Sequence, residues 1–310
     1  MKITKITFLV LFFLGKSIIL SQENSTNKFI TVRLKLIKKT KVDSLKCIFY
    51  NEISKKLGLL KQTENQEKFA DTAIYFAKKS NNASLLIRSI TSKINAAIVK
   101  QDTAFVYKLF REGLQISKER NLSKIDNDFL RFKIRNIYYS IRQGIITSEA
   151  GLKEYTNLYK EIKLTNKHEI ITELVGRISL LYRNRKELGK ALNYNSLELE
   201  YAAKSKNAQK KAAAKITELD ISYQLIPRPI KSEDVLPLIQ KAKEAEAFMK
   251  KHEILDILPF AQLYLAKFYI HETSFKKAED VLNAINDSLP VRVVFSKYEQ
   301  LCEIAKSTNN

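Results

Sequence analysis

The sequence predicts an all-α protein: a right-handed α-solenoid of about six helical hairpins, closed by a C-terminal capping helix. Two observations favour this fold. Two apolar-periodic segments lie between successive copies of a polar segment, which recurs every 39 to 45 residues at Asn82, Asn121, Asn166, Asn207 and His252. The 310 residues also include only seven glycines and five prolines, so long uninterrupted helices are favoured.

The N-terminus has the features of a secretory signal. Lys2 and Lys5 precede an apolar run over residues 6–14, and small or polar residues begin at Ser21. Lys16 keeps this run shorter than the roughly 20 residues that a membrane-spanning helix needs. We therefore expect cleavage near Ser21 and export to the periplasm, with an uncleaved membrane anchor as the alternative. No later segment is apolar enough to predict a transmembrane helix.

The chain is expected to divide into four parts. These are a signal peptide (1–21), a linker with a short leading helix (22–41), a repeat domain (42–290) and the capping helix (291–306). The leading segment also alternates like a strand, but a lone strand would have no partner. The six predicted hairpins comprise 43–57 with 64–79, 83–100 with 102–120, 126–142 with 148–164, a fourth with its turn at 184–187, 208–225 with 233–250, and 256–290.

Individual residues mark the ends of several predicted helices. Gly144 is expected to terminate the first helix of the third hairpin, because glycine accepts the left-handed conformation. Ser232 and Asp256 are predicted to cap the helices that follow them. Pro259 then falls in the first turn of its helix, where proline is tolerated.

The clearest hairpin spans residues 256–290. Leu265 and Ala266 precede Tyr269, and Ala278, Leu282 and Pro290 follow the turn, while Gln262 stands where the pattern usually has tryptophan. This spacing resembles a tetratricopeptide repeat (TPR), in which small residues let two helices approach and large residues fill the gaps beside them. The fourth hairpin is the second-best match. The repeat-packing residues that the resemblance implies are Leu265, Ala266, Tyr269, Ala278, Leu282, Ile178, Ser179, Tyr182 and Ala191.

Residues 41–82 add a second resemblance. The stretches KVDSLKCIFYNEIS and KFADTAIYFAKKSNN are similar to the opening repeat of the exported sensor region of Bacteroidetes histidine kinases and helix-turn-helix regulators. In those proteins a signal segment leads into several TPR hairpins, a membrane helix and a cytoplasmic output domain. The resemblance covers roughly residues 1–290 and implies a sensing role in signal transduction. A truncated relative that lacks its output domain is the alternative.

The sequence offers little for catalysis. It contains no G-x-S-x-G, P-loop or C-x-x-C motif, and His168, His252 and His271 lack the spacing of metal ligands. Glu198 and Glu200 fall on different sides of one helix. Cys47 and Cys302 are each expected to be small buried side chains. We therefore predict a non-enzymatic protein without catalytic residues, metal or cofactor.

A binding role follows from the repeat fold. The first helices of such hairpins line a concave groove that suits a protein or peptide partner. The net charge of +21 is spread along the chain, so nucleic acid is not expected, and an anionic envelope polymer or membrane surface is the alternative partner. The predicted groove contacts are Asn95, Arg135, Tyr138, Arg142, Arg177, Arg183 and Gln262.

Overall fold

The structure, a computed structural model, describes residues 27–308, and this part of the chain consists of fourteen helices without a strand. Helix α1 covers residues 27–39. The others are α2 (Asp43–Leu59), α3 (Thr63–Lys79), α4 (Ala83–Val99), α5 (Thr103–Glu119), α6 (Asn127–Arg142), α7 (Ser148–Ile162), α8 (His168–Asn184), α9 (Leu188–Lys204), α10 (Ala208–Leu225), α11 (Ser232–Lys251), α12 (Leu258–His271), α13 (Phe275–Asn283) and α14 (Val291–Thr308).

The predicted TPR-like helical repeat fold is confirmed. Each even-numbered helix from α2 to α12 is the first helix of a hairpin, and α14 follows the last hairpin. The leading segment is helical, as expected. The predicted signal peptide lies outside the described residues, and no helix within residues 27–308 has the length and apolar character to cross a membrane. The chain forms two compact units that divide after Ser140.

In both units, a buried serine tightens one hairpin. Ser54 of α2 donates its hydroxyl to the carbonyl of Gln66 at 2.9 Å, and Ser179 of α8 donates to the carbonyl of Ala191 at 2.8 Å. Both serines are 0% exposed. Because a buried hydroxyl needs a partner, this bond makes a small polar residue acceptable where two helices approach closely.

The core of the first unit is apolar and includes a close contact at a glycine. Phe132 of α6 is fully buried and packs edge-on against Phe110 of α5, with the ring centroids 5.4 Å apart. A Cβ atom at Gly113 would lie only 2.4 Å from the Phe132 ring. Glycine at this position therefore lets the ring lie directly against the α5 backbone.

The second unit is built around a cluster contributed by α10 to α14. Its largest fully buried member is Phe268, whose ring centroid lies 5.8 Å from that of Tyr223. Lys297 of α14 is 5% exposed and donates to the Ile285 carbonyl at 2.8 Å, so it ties the loop before α14 to that helix. A buried ammonium group is stable only when such partners satisfy it.

Most helices end at a residue in the left-handed conformation, although the residue is rarely glycine. The amide of the next residue donates to the carbonyl five residues before it, as Asn82 does to Ala77 at 3.3 Å. This arrangement is the Schellman motif. Gly144 ends α6 in the predicted way, with φ of 70°. The non-glycine residues with positive φ are Lys61, Asn81, Gln101, Asn121, Lys186, Lys206, Glu253 and Thr273.

The asparagines of the recurring polar segment stabilise these junctions between helices. Asn82 and Asn207 cap α4 and α10, where their side chains accept from the amides of Leu85 and Lys210, both at 3.0 Å. Asn121 instead takes the left-handed conformation after α5, which asparagine tolerates better than most residues.

Three local predictions are wrong. Ser232 is the first residue of α11, and its hydroxyl donates to the His271 carbonyl instead of capping the helix. Asp256 lies before the cap of α12 and accepts a hydrogen bond from Gln209 at 2.7 Å. Cys302 is exposed, whereas Cys47 is buried as expected. In each case a tertiary contact, or the lack of one, overrides the local sequence preference.

Candidate interaction surface

In the first unit, polar side chains join each first helix to the next. Asn51 of α2 donates to Ser89 of α4 at 2.8 Å and accepts from Ser92 at 3.0 Å. Arg88 of α4 binds Asp128 of α6 through two nitrogens, both at 2.9 Å. Asp128 is 6% exposed, and this paired geometry is the strong form of an arginine–carboxylate contact.

In the second unit, one carboxylate connects three first helices. Asp220 of α10 accepts from Arg183 of α8 at 2.5 Å and from the Tyr264 hydroxyl of α12 at 2.8 Å. Burial, and then the charge of Asp220, raise the pKa of Tyr264, so this tyrosine remains a hydrogen-bond donor. These contacts fix the spacing of α8, α10 and α12.

A cavity of about 180 Å³ lies beside Tyr264, between α12 and α14. Its wall has an apolar part and a cationic part. Lys267 and Arg292 supply the positive charge, and neither forms an ion pair within residues 27–308. The lining residues are Phe260, Leu263, Tyr264, Lys267, Arg292, Val293, Ser296 and Gln300.

The cationic side of this cavity continues along α12. The Lys267 ammonium lies 4.3 Å from the centroid of the Tyr223 ring, and the Arg228 guanidinium lies 4.9 Å from the same centroid. The Tyr223 hydroxyl is 3.0 Å from Nε2 of His271. Burial lowers the pKa of His271; the charge of Glu303 opposes this shift, and the charges of Lys267 and Arg228 add to it. The histidine is therefore mainly neutral near pH 7.

The first unit has a larger cavity of about 450 Å³ among α3, α4 and α5. Its mouth carries charges of both signs, from Lys78, Glu112, Glu119 and Arg120, and Arg120 bonds to Asn81 at 2.5 Å. A mouth with charges of both signs gives less preference for one ligand than a wall whose charged side chains are both cations, as beside α12.

A largely buried carboxyl group lies between α8, α9 and α10. Glu198 packs over Gly176, where a Cβ atom would lie 2.5 Å from its Oε1, and it accepts from Asn195 at 3.2 Å. Burial raises the pKa of Glu198 to about 7, although the Asn195 hydrogen bond and the charges of Lys210 and Arg177 oppose that shift. Within residues 27–308, no three His, Cys, Asp or Glu side chains form a group that could hold a metal ion.

The predicted groove contacts all fall on first helices. Asn95 bonds to Arg135, and Arg183 bonds to Asp220, so these side chains already bridge neighbouring helices. Tyr138 and Arg177 are partly buried, and Arg142 is exposed.

Gln262 differs from the other predicted contacts, because it is nearly buried between α12 and α11 of the preceding hairpin. It is only 6% exposed and bonds to Glu246 of α11 at 3.3 Å. The residue in the tryptophan slot is therefore a packing residue.

The residues named for repeat packing lie in the hairpin interiors. Tyr182 is the only partly buried member, and its ring stacks on Tyr194 with the centroids 5.5 Å apart. The members buried to 7% exposure or less are Leu265, Ala266, Tyr269, Ala278, Leu282, Ile178, Ser179 and Ala191.

The sequence analysis missed Asp220, Tyr264, Lys267 and Arg292. Tyr264, Lys267 and His271 recur at helical spacing in α12, which could have indicated a shared face. Nothing local distinguishes Asp220, because its role depends on side chains that lie 37 residues before it and 44 residues after it.

No protein family model and no curated protein matches this sequence. Solved structures share the fold. BtubC (BKLC) from P. vanneervenii has a TM-score of 0.55 and 14% identity, over 77% of this chain and 90% of that one. The apo form of RapI has a TM-score of 0.52 and 13% identity, over 96% of this chain and 99% of that one.

A third structure is a signal transduction ATPase with numerous domains (STAND) from Pyrococcus horikoshii, described as having a tetratricopeptide repeat sensor. Its TM-score is 0.57 at 15% identity, over 94% of this chain and 42% of the STAND protein. At these identities the likeness concerns the fold alone, which is a TPR-like helical repeat fold.

Proposed function

We propose that this protein is a non-catalytic scaffold that binds a segment of a partner protein along the first helices of its second unit. The observation that carries the proposal is the cavity between α12 and α14, where Lys267 and Arg292 lie beside an apolar wall and have no ion-pair partner among residues 27–308. A peptide carrying both an acidic and an apolar side chain would satisfy both parts of this wall.

The rigidity of the neighbouring helices supports this proposal. Asp220 holds Arg183 and Tyr264 in place, so the first helices next to the cavity are ordered before any partner arrives. A surface that is already ordered loses less conformational entropy on binding. The TPR-like fold supports protein binding as the coarse function.

We further propose that the protein is exported and that binding serves as the sensing step of a signalling system. Support for export comes from the lysines and apolar run at the N-terminus. Support for sensing comes from the STAND protein, whose repeats are described as a sensor. Fusion of alkaline phosphatase after residue 308 tests export. If the fused phosphatase is found only in the cytoplasmic fraction of lysed cells, export is contradicted.

Site-specific photocrosslinking tests the binding surface. A benzoylphenylalanine in place of Phe260 should crosslink to one partner in cells, whereas the same probe in place of Tyr75, which is 60% exposed on α3, should not. The Phe260 adduct should be lost with Lys267→Glu and kept with the control Lys231→Glu, whose side chain is 71% exposed. Equal crosslinking yields at the two probe positions, or a Phe260 adduct that persists with Lys267→Glu, would refute this binding surface.

The net charge of +21 favours a second candidate function, association with an anionic envelope polymer or membrane surface. Salt distinguishes the two candidates, because the Debye length shrinks from about 10 Å at 0.1 M to about 3 Å at 1 M. Binding that survives 0.5 M salt and depends on Phe260 indicates a peptide. Binding that collapses with salt and tolerates Phe260→Ser indicates a polyanion.

A further inference from the structure

The outward face of α14 carries an apolar stripe that the described residues leave largely exposed, although the Tyr298 hydroxyl donates to Asp287 at 3.0 Å. Val291 is 84% exposed, Phe295 66% and Tyr298 49%, and Cys302 is also exposed. These positions are four, three and four residues apart, so they lie on one side of the helix. The opposite side packs on α12 and α13 through buried residues such as Val293.

The spacing of this stripe is that of a helix that packs along another helix. Alternating intervals of three and four residues form the seam of a two-helix contact, in which each side chain fits between side chains of the facing helix. Exposed aromatic and branched side chains in such a row are costly in water unless a partner covers them.

The charges beside the stripe indicate which partner fits. Arg292 and Glu299 are exposed on the same flank of α14, seven residues apart, with Phe295 almost midway between them. Neither forms an ion pair or hydrogen bond within residues 27–308. In an antiparallel pair related by a two-fold axis next to Phe295, Arg292 of each helix lies level with Glu299 of the other.

We propose that α14 is the interface through which two copies of this chain associate, antiparallel and with Phe295 at the two-fold axis. Such an interface is isologous, so both stripes are covered and both charges are paired in one step. An 18-residue helix is about 27 Å long, and a contact of this length lies at the small end of specific interfaces. The dimer is therefore expected to form at micromolar concentrations.

Sedimentation equilibrium of the full chain, from about 1 to 200 µM, measures this association. Phe295→Asp is expected to leave the protein monomeric over the whole range. The matched control is Leu164→Asp, which adds the same charge at an apolar side chain that is 92% exposed outside α14, and it should dimerise like the parent. Circular dichroism verifies that each variant keeps its helix content.

Charge reversal tests the register. Arg292→Glu and Glu299→Arg should each weaken the dimer by about tenfold, because each places two like-charged pairs at the interface. The two substitutions together should restore the parent dissociation constant.

Three results would overturn the proposal. The parent could remain monomeric at 200 µM. Alternatively, Phe295→Asp could dimerise as tightly as the parent, which would indicate that the two copies touch elsewhere. The double reversal could also be no tighter than the single reversals, which would indicate that a different chain covers the stripe. Phe295 does not line the cavity beside Tyr264, so Phe295→Asp tests the dimer separately from the proposed peptide binding, whereas Arg292→Glu alters the cavity wall as well.

Discussion

Glu198 makes a specific prediction about stability and pH. Its carboxyl group is held between α8, α9 and α10, and its pKa is about 7 in the folded protein, against 4.5 for an ordinary glutamate. At 1.36 kcal/mol per pKa unit, this difference corresponds to about 3 kcal/mol. Glu198→Gln preserves the shape and keeps the group neutral at every pH, so it isolates this contribution.

The sign follows from proton binding. Between about pH 4.5 and pH 7 the folded state holds a proton on Glu198 that the unfolded chain has released. The free energy of unfolding therefore falls as pH rises through this window. Glu198→Gln should match the parent near pH 4.5 and exceed it in stability by about 3 kcal/mol at pH 8, because the variant loses no proton.

Urea denaturation at pH 4.5, 6, 7 and 8, followed by circular dichroism, measures this difference. The control Glu200→Gln changes an exposed carboxylate on the same helix that pairs with Lys204, so it should shift stability by less than about 1 kcal/mol at any pH. If the difference in unfolding free energy between Glu198→Gln and the parent stays constant from pH 4.5 to 8, Glu198 does not hold a proton in the folded state as proposed.

Three further predictions concern packing and turns. Gly113→Ala should lower the free energy of unfolding by about 1–3 kcal/mol, because the new methyl group meets the buried ring of Phe132. The control Gly189→Ala, with open space around it, should be neutral or stabilising. Equal melting temperatures of the two variants would contradict this prediction. Lys297→Met should cost about 2 kcal/mol in urea denaturation, because a loop carbonyl loses its donor, and an unchanged midpoint would contradict that role. Gln101→Gly should raise the unfolding free energy by about 0.5–1 kcal/mol, because the φ of 59° at this position is easier for glycine than for a residue with a side chain. A fall in the unfolding free energy would show that contacts of the glutamine side chain matter more.

Helix positions were readable from the sequence because they depend on residues close to one another. The first helix of the predicted fifth hairpin, 208–225, matches α10 at both ends. The predicted turn at 184–187 is followed directly by α9, which begins at Leu188. Ala266 and Ala278 were recognisable for the same reason, since the repeat places small residues at fixed offsets within a single hairpin.

Side-chain roles were less predictable where they depend on another hairpin. Arg183 was predicted as a groove contact, and the structure pairs it with Asp220, which also accepts from Tyr264. Gln262 was placed on the surface because its neighbours in sequence gave no sign of Glu246 on the preceding helix. Glu198 was considered only as a possible partner of Glu200, because its altered pKa comes from burial over Gly176 and not from a neighbour in sequence.

The sequence by itself determined that this chain is a series of helical hairpins, because periodic apolar residues and junction asparagines act over a few turns of helix. The tertiary structure decided which polar groups are paired, which carboxyl is buried and which apolar stripe of α14 remains uncovered. Those properties depend on distances between residues far apart in the chain, and only folding brings such residues together.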